Sequence, residues 1–549
     1  MKNDLPVAYF SMEIAFETNV PNYAGGLGVL AADMLMSAAD LDFKMVGVSL
    51  LYHQNDDIED GFRAERYLTR LPQTTEVQIE DRRVKVAIWK KEIFGRTGAI
   101  VPIYFLSTYL PENQPWDRDI TKHLYANDRY TRLCQEIVLG IGGVRALEVL
   151  GYPHLQTYHL NEGHAAFCTL ELLRRYHYNE SDVRSRVTFT THTPIAAGHD
   201  YFDYALAGNT LREMMPWNIR DLAGQNNLGM TELAMNLSHS TNSVSERHRQ
   251  VCAAMFPGRQ INNVTNGVYP PRWAGEHLTQ IYNTYLPGWD ENPSLLGDAL
   301  AKLPTAKWRE AKQLEKKALT DWINLNKSFF AVSNVSENDS LDTDTLTIGF
   351  ARRFVPYKRP DLLFRDLNGL ATLGDQKLQV IFANRCHPDD FYCNDLHSKL
   401  EEYANKLRDK IKIVLIPDYD LDIAKRLVAG CDMWLNTPRP PLEASGTSGM
   451  KAALNGALNL SVADGWWIEG LAREPGSGWH FGDEGAFATP ESQDSADAAA
   501  LLQALGQAMR CYYERPDEWA ERSKRAISLL SFFNTSRVIN EYNQKIWSS

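Results

Sequence analysis

The sequence predicts an α/β protein of two domains, each built on a parallel sheet. Three observations carry that expectation. The chain has 549 residues, more than one hydrophobic core organises. Short apolar runs alternate with helix-period stretches along most of its length, the pattern of strands joined by crossover helices. The alternation lapses once, in a charged helical region at about 297–330 and the polar stretch 334–345, and then resumes.

In the first half the strand candidates are 7–10, 45–49, 84–89, 100–106, 156–160 and 186–190. Helix-period stretches cover 29–41 and 131–150. In the second half 346–350, 379–383, 412–416 and 433–435 read as strands, with helices at 361–373, 395–407 and 422–429 between them. Two such sheets in tandem suggest Rossmann-like domains that hold ligands beyond the carboxyl ends of their strands. We place the domains at 1–275 and 276–530, with a last helical segment, 531–549, expected to return to the first domain.

The composition excludes several function classes. Hydrophobic residues make up 44% and charged residues 23%, an ordinary globular balance. A net charge of −12 argues against a nucleic-acid groove. No run of eighteen apolar residues is present, so no membrane span is expected. The N-terminus carries acids inside its apolar part, unlike a signal peptide. Seven cysteines without a CxxC pair indicate neither zinc nor a disulfide frame, and fit a reduced cytoplasm.

The densest chemistry lies in Glu443-Ala-Ser-Gly-Thr-Ser-Gly-Met-Lys451. Gly446 and Gly449 let backbone N–H groups approach an anion. Lys451 falls in the first turn of an expected helix, where it is either a counter-charge or a nucleophilic amine. Upstream, Arg352, Arg353, Lys358 and Arg359 crowd four cations just after a predicted strand, a geometry suited to phosphate. A solvated basic cap is the alternative. Gly25-Gly-Leu-Gly28 precedes a predicted helix, as phosphate-cradling loops do, though a glycine there can serve only a turn.

These segments resemble motifs of the glycogen and α-glucan phosphorylases. So do Leu160-Asn-Glu-Gly-His164, Thr191-His-Thr193 and Val264-Thr-Asn-Gly-Val268, all in the family's order. The resemblance implies a GT-B architecture, two Rossmann-like domains facing a central cleft. It implies phosphorolysis of the terminal glucose of an α-1,4-glucan by orthophosphate, giving α-glucose 1-phosphate with retention. The implied cofactor is pyridoxal 5′-phosphate, bound as a Schiff base by Lys451, with its phosphate as general acid and base. Arg353 and Lys358 would hold the substrate phosphate and Arg352 would face the cofactor phosphate. Thr447, Gly26, Leu27, Trp273 and Tyr419 would complete the cofactor site. Asn266, His192, Tyr357, Glu443, Ser445 and Gly446 would contact the glucose. No metal is implied, since no second ligand stands at fixed spacing from His192. A buried histidine with its hydrogen bonds met is the alternative for His192 and for His164.

The chain departs from the family's pattern in three places. Arg352 stands where many members have lysine, and Ser448-Gly449 where many have Gly-Asn. The Pro-rich stretch 436–442 is closer to the short bacterial and archaeal members. A nucleotide-sugar-dependent glucan glucosyltransferase explains the GGLG loop and the Arg353/Lys358 pair equally well, but not the segment Thr447 to Lys451. A homodimer is compatible with the sequence.

Overall fold

The short apolar runs form the central strands of two sheets in the computed structural model. It describes residues 6–548 apart from 54–62, 153–154, 328–329, 331, 336–339, 387–389, 483–484 and 486. Tertiary contacts divide the chain into one unit of Met1–Thr265 with Thr535–Ser549 and another of Asn266–Asn534. The sequence reading draws the cuts at 275 and 530 instead.

The first unit carries a nine-stranded sheet in the order Asn262–Asn263, Ser240–Ser243, Val187–Thr190, Thr157–Asn161, Val7–Ser11, Met45–Leu50, Ile100–Ser107, Arg82–Phe94, Thr69–Ile79. The first seven run parallel and the last two join antiparallel. Successive side chains of a strand alternate faces. Ala8 and Phe10 therefore enter one apolar cluster, and Val7 and Tyr9 enter the cluster on the other face. Both faces are covered, which is why Val7–Ser11 and Met45–Leu50 are buried throughout.

The helical stretch expected at 131–150 is not continuous. It comprises Arg129–Ile137, a π-turn at Val138–Gly142, and Gly143–Val149. Glycines explain the break. A Cβ on Gly140 would lie 2.5 Å from the Cys168 nitrogen, and one on Gly143 2.5 Å from the Phe10 ring. The stretch widens where backbone and core press closest. The C-terminal helix Thr535–Tyr542 packs on helix Gly26–Asp40, with Ser37 and Thr535 hydroxyls 2.5 Å apart.

The second unit carries a seven-stranded sheet in the order Val332–Ser333, Lys412–Ile416, Leu378–Ala383, Leu346–Ala351, Met433–Asn436, Leu458–Val462, Gly478–Phe481. All pairs are parallel except the first. The helix expected at 361–373 is instead a short turn, Leu362–Phe364, and a helix, Leu367–Gly374. Asp366 restarts it by accepting from the Gly369 N–H at 2.9 Å.

One expectation about cysteine is overturned. Cys386 and Cys393 form a disulfide, Cα–Cα 5.7 Å, just beyond strand Leu378–Ala383. Cys134, Cys168, Cys252, Cys431 and Cys511 are free and buried. The pair was missed because six residues separate its cysteines and only the folded loop brings them together. Among the described residues no helix is long and apolar enough to cross a membrane, and no cluster of three or more His, Cys, Asp or Glu side chains could hold a metal.

Candidate functional site

In the second unit the site is built at the carboxyl end of the central strand Leu346–Ala351. Arg352 follows that strand, its N–H donating to the Ala383 carbonyl at 3.2 Å. A short 3₁₀ turn, Pro356–Lys358, comes next, and Arg359 takes the left-handed conformation at φ 45°. That residue sends the four clustered cations different ways.

Lys358 turns toward Glu443, and its ammonium and the carboxylate form an ion pair. Arg352 approaches the same carboxylate, Nη1 to Oε2 3.3 Å. All three side chains are about nine-tenths buried, with 10–12% of their surface exposed. Arg359 turns inward instead. Its guanidinium donates to the carbonyls of Thr437 and Pro438 at 2.9 and 2.8 Å, and to Asp494 and Asp497 at 2.9 and 2.7 Å. The Thr437 hydroxyl donates to the Lys358 carbonyl at 2.7 Å. Arg359 is thus bound to the fold. Arg353 is exposed and makes no hydrogen bond or ion pair among the described residues.

The electrostatics follow from this packing. Burial pushes the Lys358 ammonium down to about 8; Arg352 adds to the shift and Glu443 opposes it. Burial alone would raise the Glu443 carboxyl, but Lys358 and Arg352 hold it below the usual carboxylate range. Tyr357 lies beside the pair, its ring 4.6 Å from the Lys358 ammonium, and burial raises its hydroxyl well above the ordinary value. The buried Arg352 Nη1 has no hydrogen bond, only the ionic contact to Glu443.

Glu443 is held from behind. Its N–H donates to Asp464 at 2.8 Å, and the other Asp464 oxygen accepts from Gly465 at 2.9 Å. Trp466 N–H donates to the Ser445 carbonyl at 2.9 Å. Gly465, at φ 54°, lies so close that a Cβ would stand 2.4 Å from that carbonyl oxygen. Gly446 then turns left-handed, φ 89°, and opens helix Thr447–Leu454. A Cβ on Gly449 would meet the Asn459 side-chain oxygen at 2.4 Å. The buried Ser445 hydroxyl has no hydrogen-bond partner.

Lys451 lies in this helix, buried, with its ammonium 4.0 Å from the centre of the Trp273 ring. Trp273 ends the short helix Pro270–Trp273 and is itself buried. Asn266 is buried four residues before that helix begins. Tyr419 is half-buried, its N–H donating to the Asn384 carbonyl at 3.3 Å. The Trp273 ring packs against the Lys451 ammonium.

In the first unit Gly26 is the exposed first residue of helix Gly26–Asp40, and Leu27 follows it half-buried. The loop before this helix already meets a negative charge. One Glu13 oxygen accepts from Ala24 and Gly25 N–H at 2.6 and 3.1 Å, and the other accepts from Tyr125 at 2.8 Å. His192 follows strand Val187–Thr190 and is half-buried. Its Nε2 donates to Asn161 Oδ1 at 2.6 Å, and its backbone N–H donates to Glu162 at 2.7 Å. Burial, aided by His248, His159 and His164, lowers the imidazole to about 3. It is neutral at pH 7, with the proton on Nε2 and a lone pair on Nδ1.

Sequence reasoning missed Asp464, Glu13 and Asn161. Asp464-Gly465 is a turn dipeptide, which marks a bend but not its use as a brace. Glu13 acts through contacts far along the chain and leaves no local pattern, and Asn161 lies in the motif 160–164, which gave it no role of its own.

A comparison with protein families matches the carbohydrate phosphorylase family over residues 205–482. The maltodextrin phosphorylase of Thermococcus litoralis is 34% identical over 99% of this chain and 70% of its own length. The glycogen phosphorylase of Aquifex aeolicus is 31% identical over 99% of this chain and 86% of its own. An uncharacterized protein of Methanocaldococcus jannaschii is 29% identical over 99% of both chains.

Proposed function

Because this chain belongs to the carbohydrate phosphorylase family, we propose that it acts as an α-glucan phosphorylase. It transfers the non-reducing terminal glucose of an α-1,4-glucan to orthophosphate, giving α-glucose 1-phosphate with retention. The observation that carries the reading is Lys451, an amine buried on the Trp273 ring in a helix opened by a left-handed glycine. A nucleotide-sugar transferase has no use for that amine.

The residues fit pyridoxal 5′-phosphate. The Gly446–Thr447–Ser448–Gly449 turn offers backbone N–H groups and two hydroxyls. The Ser445 hydroxyl supplies an unspent polar atom. When bound, the cofactor supplies a phosphate whose second pKa, about 6, suits proton transfer near neutrality.

The chain's own residues do the rest. Lys451 holds the cofactor, with Trp273 against it and Thr447, Arg352 and Tyr419 assigned to the same group. Lys358 and the uncommitted Arg353 bind the substrate phosphate. Glu443 accepts from sugar hydroxyls and places a negative charge near an oxocarbenium-like transition state. Asn266, Tyr357, Ser445 and Gly446 are assigned to the glucose. Neutral His192 offers an acceptor nitrogen for a sugar hydroxyl. The two sheets are read as the halves of a GT-B architecture. A cytoplasmic location is part of the same reading, and the Cys386–Cys393 disulfide does not support it.

The test is release of glucose 1-phosphate from maltooligosaccharides of graded length, with and without phosphate. Phosphate-dependent release supports the reading. Glucosyl transfer from a nucleotide sugar without phosphorolysis overturns it.

A further inference from the structure

Lys451 and Trp273 are held together by a residue with no assigned role. Helix Thr447–Leu454 ends at Asn455, and Gly456 follows in the left-handed region at φ 69°. Gly456 N–H donates to the Ala453 carbonyl at 2.9 Å and Ala457 N–H to the Ala452 carbonyl at 3.0 Å. This pair of bonds closes a helix by its backbone alone. The Asn455 side chain is therefore not needed to end the helix.

It does something else. Asn455 is 0% exposed. Its Nδ2 donates to the carbonyl of Lys451 and to the carbonyl of Trp273, both at 2.8 Å. Its Oδ1 accepts from the Gly275 N–H at 2.7 Å. One amide thus joins the turn that carries Lys451 to the segment that carries Trp273, and both its donors and its acceptor are spent on that joint. Lys312 fixes the joint from below, donating to the Asn455 carbonyl at 3.2 Å and to the Ala429 and Cys431 carbonyls at 2.6 and 2.7 Å. Nearby, the Tyr282 hydroxyl donates to the Leu454 carbonyl at 2.6 Å, bracing the same helix end without touching the tie.

We propose that Asn455 is a positioning residue, which sets Lys451 against the Trp273 ring by tying their two carbonyls through one amide. The inference rests on the assignment of Lys451 to the cofactor. Only an amide of this length supplies two donors on one face and an acceptor on the other. Asn455→Asp keeps the size and the acceptor toward Gly275, but it points a carboxylate at two carbonyl oxygens. The tie should open while the backbone cap persists. Asn455→Ser keeps a small polar residue but is too short to span the gap.

The test uses the holoenzyme as purified. Its readouts are absorbance of the bound chromophore, the induced circular dichroism of that band, and kcat with KM for phosphate. Tyr282→Phe serves as a purely structural control at the same helix end. In both Asn455 variants we expect bound chromophore near one per chain, induced dichroism reduced at least two-fold, and kcat reduced about ten-fold, with KM for phosphate within two-fold. Tyr282→Phe should keep the dichroism and kcat of the parent. Wild-type dichroism and kcat in either folded Asn455 variant would overturn the proposal. So would equal losses in Tyr282→Phe, which would show a general loosening. A parent enzyme without the chromophore would instead overturn the assignment of Lys451, a separate result.

Discussion

Replacing Glu443 by Gln should move the alkaline limit of phosphate use to lower pH. Among the described residues Glu443 is the one carboxylate paired with the Lys358 ammonium, and it opposes the burial and the Arg352 charge that push Lys358 down to about 8. Removing that negative charge leaves only the two lowering influences. A hydrogen bond to a charged group contributes about 1.5–3 kcal/mol, and each pKa unit corresponds to about 1.4 kcal/mol, so the shift is about one to two units. The new amide oxygen still accepts a neutral hydrogen bond, so the shift should lie nearer one. Lys358 binds phosphate only while protonated, so the fall in phosphate use begins where it loses its proton. The assay is kcat/KM for phosphate across the neutral and alkaline range, which reports the free enzyme. The parent limb should centre near the Lys358 value, and Glu443→Gln should bring it down by about one unit. Lys358→Arg should abolish the limb, because a guanidinium does not deprotonate there. A limb that stays in place in Glu443→Gln, or survives in Lys358→Arg, would refute the reasoning. The same variant should keep the chromophore and lose most of its turnover on maltodextrin.

Lys451→Ala should remove covalently bound cofactor and nearly all activity. Visible absorbance that survives denaturation and dialysis would place the cofactor on another lysine. Lys358→Ala and Arg353→Ala should each raise KM for phosphate by about ten- to a hundred-fold, the loss of one charge-assisted contact of about 1.5–3 kcal/mol. KM for glucan should change less, and the reverse pattern would remove them from the phosphate site. Arg359→Gln should lower stability by about 3 kcal/mol, because it removes the guanidinium that pairs with the buried Asp494 and Asp497 carboxylates, while Arg439 still pairs with Asp494. Denaturant unfolding checks this, and an unchanged midpoint would show those carboxylates finding other partners.

The sequence made the parallel sheets legible wherever strands are apolar on both faces. Strands 7–10, 346–350 and 412–416 lie within a residue of their observed bounds. Ser240–Ser243 was invisible because it is polar throughout, its Asn242 accepting from Thr190 and donating to Tyr542 inside the core. Thr69–Ile79 was hidden by its polar alternation and by Pro72, where the pairing shifts register between Arg70 and Thr74. At the site, residue types and spacing identified Lys451, Lys358 and Glu443 as chemistry. They could not show that Lys358 and Glu443 pair across 85 residues. Nor could they separate Lys358 from its neighbour Arg359. One left-handed residue decides that, sending one cation to the site and the other to a structural network.

Helix Thr447–Leu454 shows why tertiary contacts matter here. Eight residues are too few to hold a helix in water, since nucleation outweighs so few hydrogen bonds. Its order must come from its surroundings, and both ends are supplied. Gly446 and Gly456 set its start and stop by backbone conformation. Asn459 donates to the Gly449 carbonyl at 3.0 Å near the first turn, and Tyr282 and Lys312 engage carbonyls at the last. A longer helix would be stable on its own but would carry its lysine wherever its packing face dictated. A short one takes its orientation from the groups that bind its ends. The ammonium over Trp273 can then be adjusted through Asn455 without disturbing the sheet beneath. That separation of stability from alignment predicts that substitutions at the two ends act unequally. Those at the glycines should cost folding, and those at the Asn455 amide should cost alignment of the amine first.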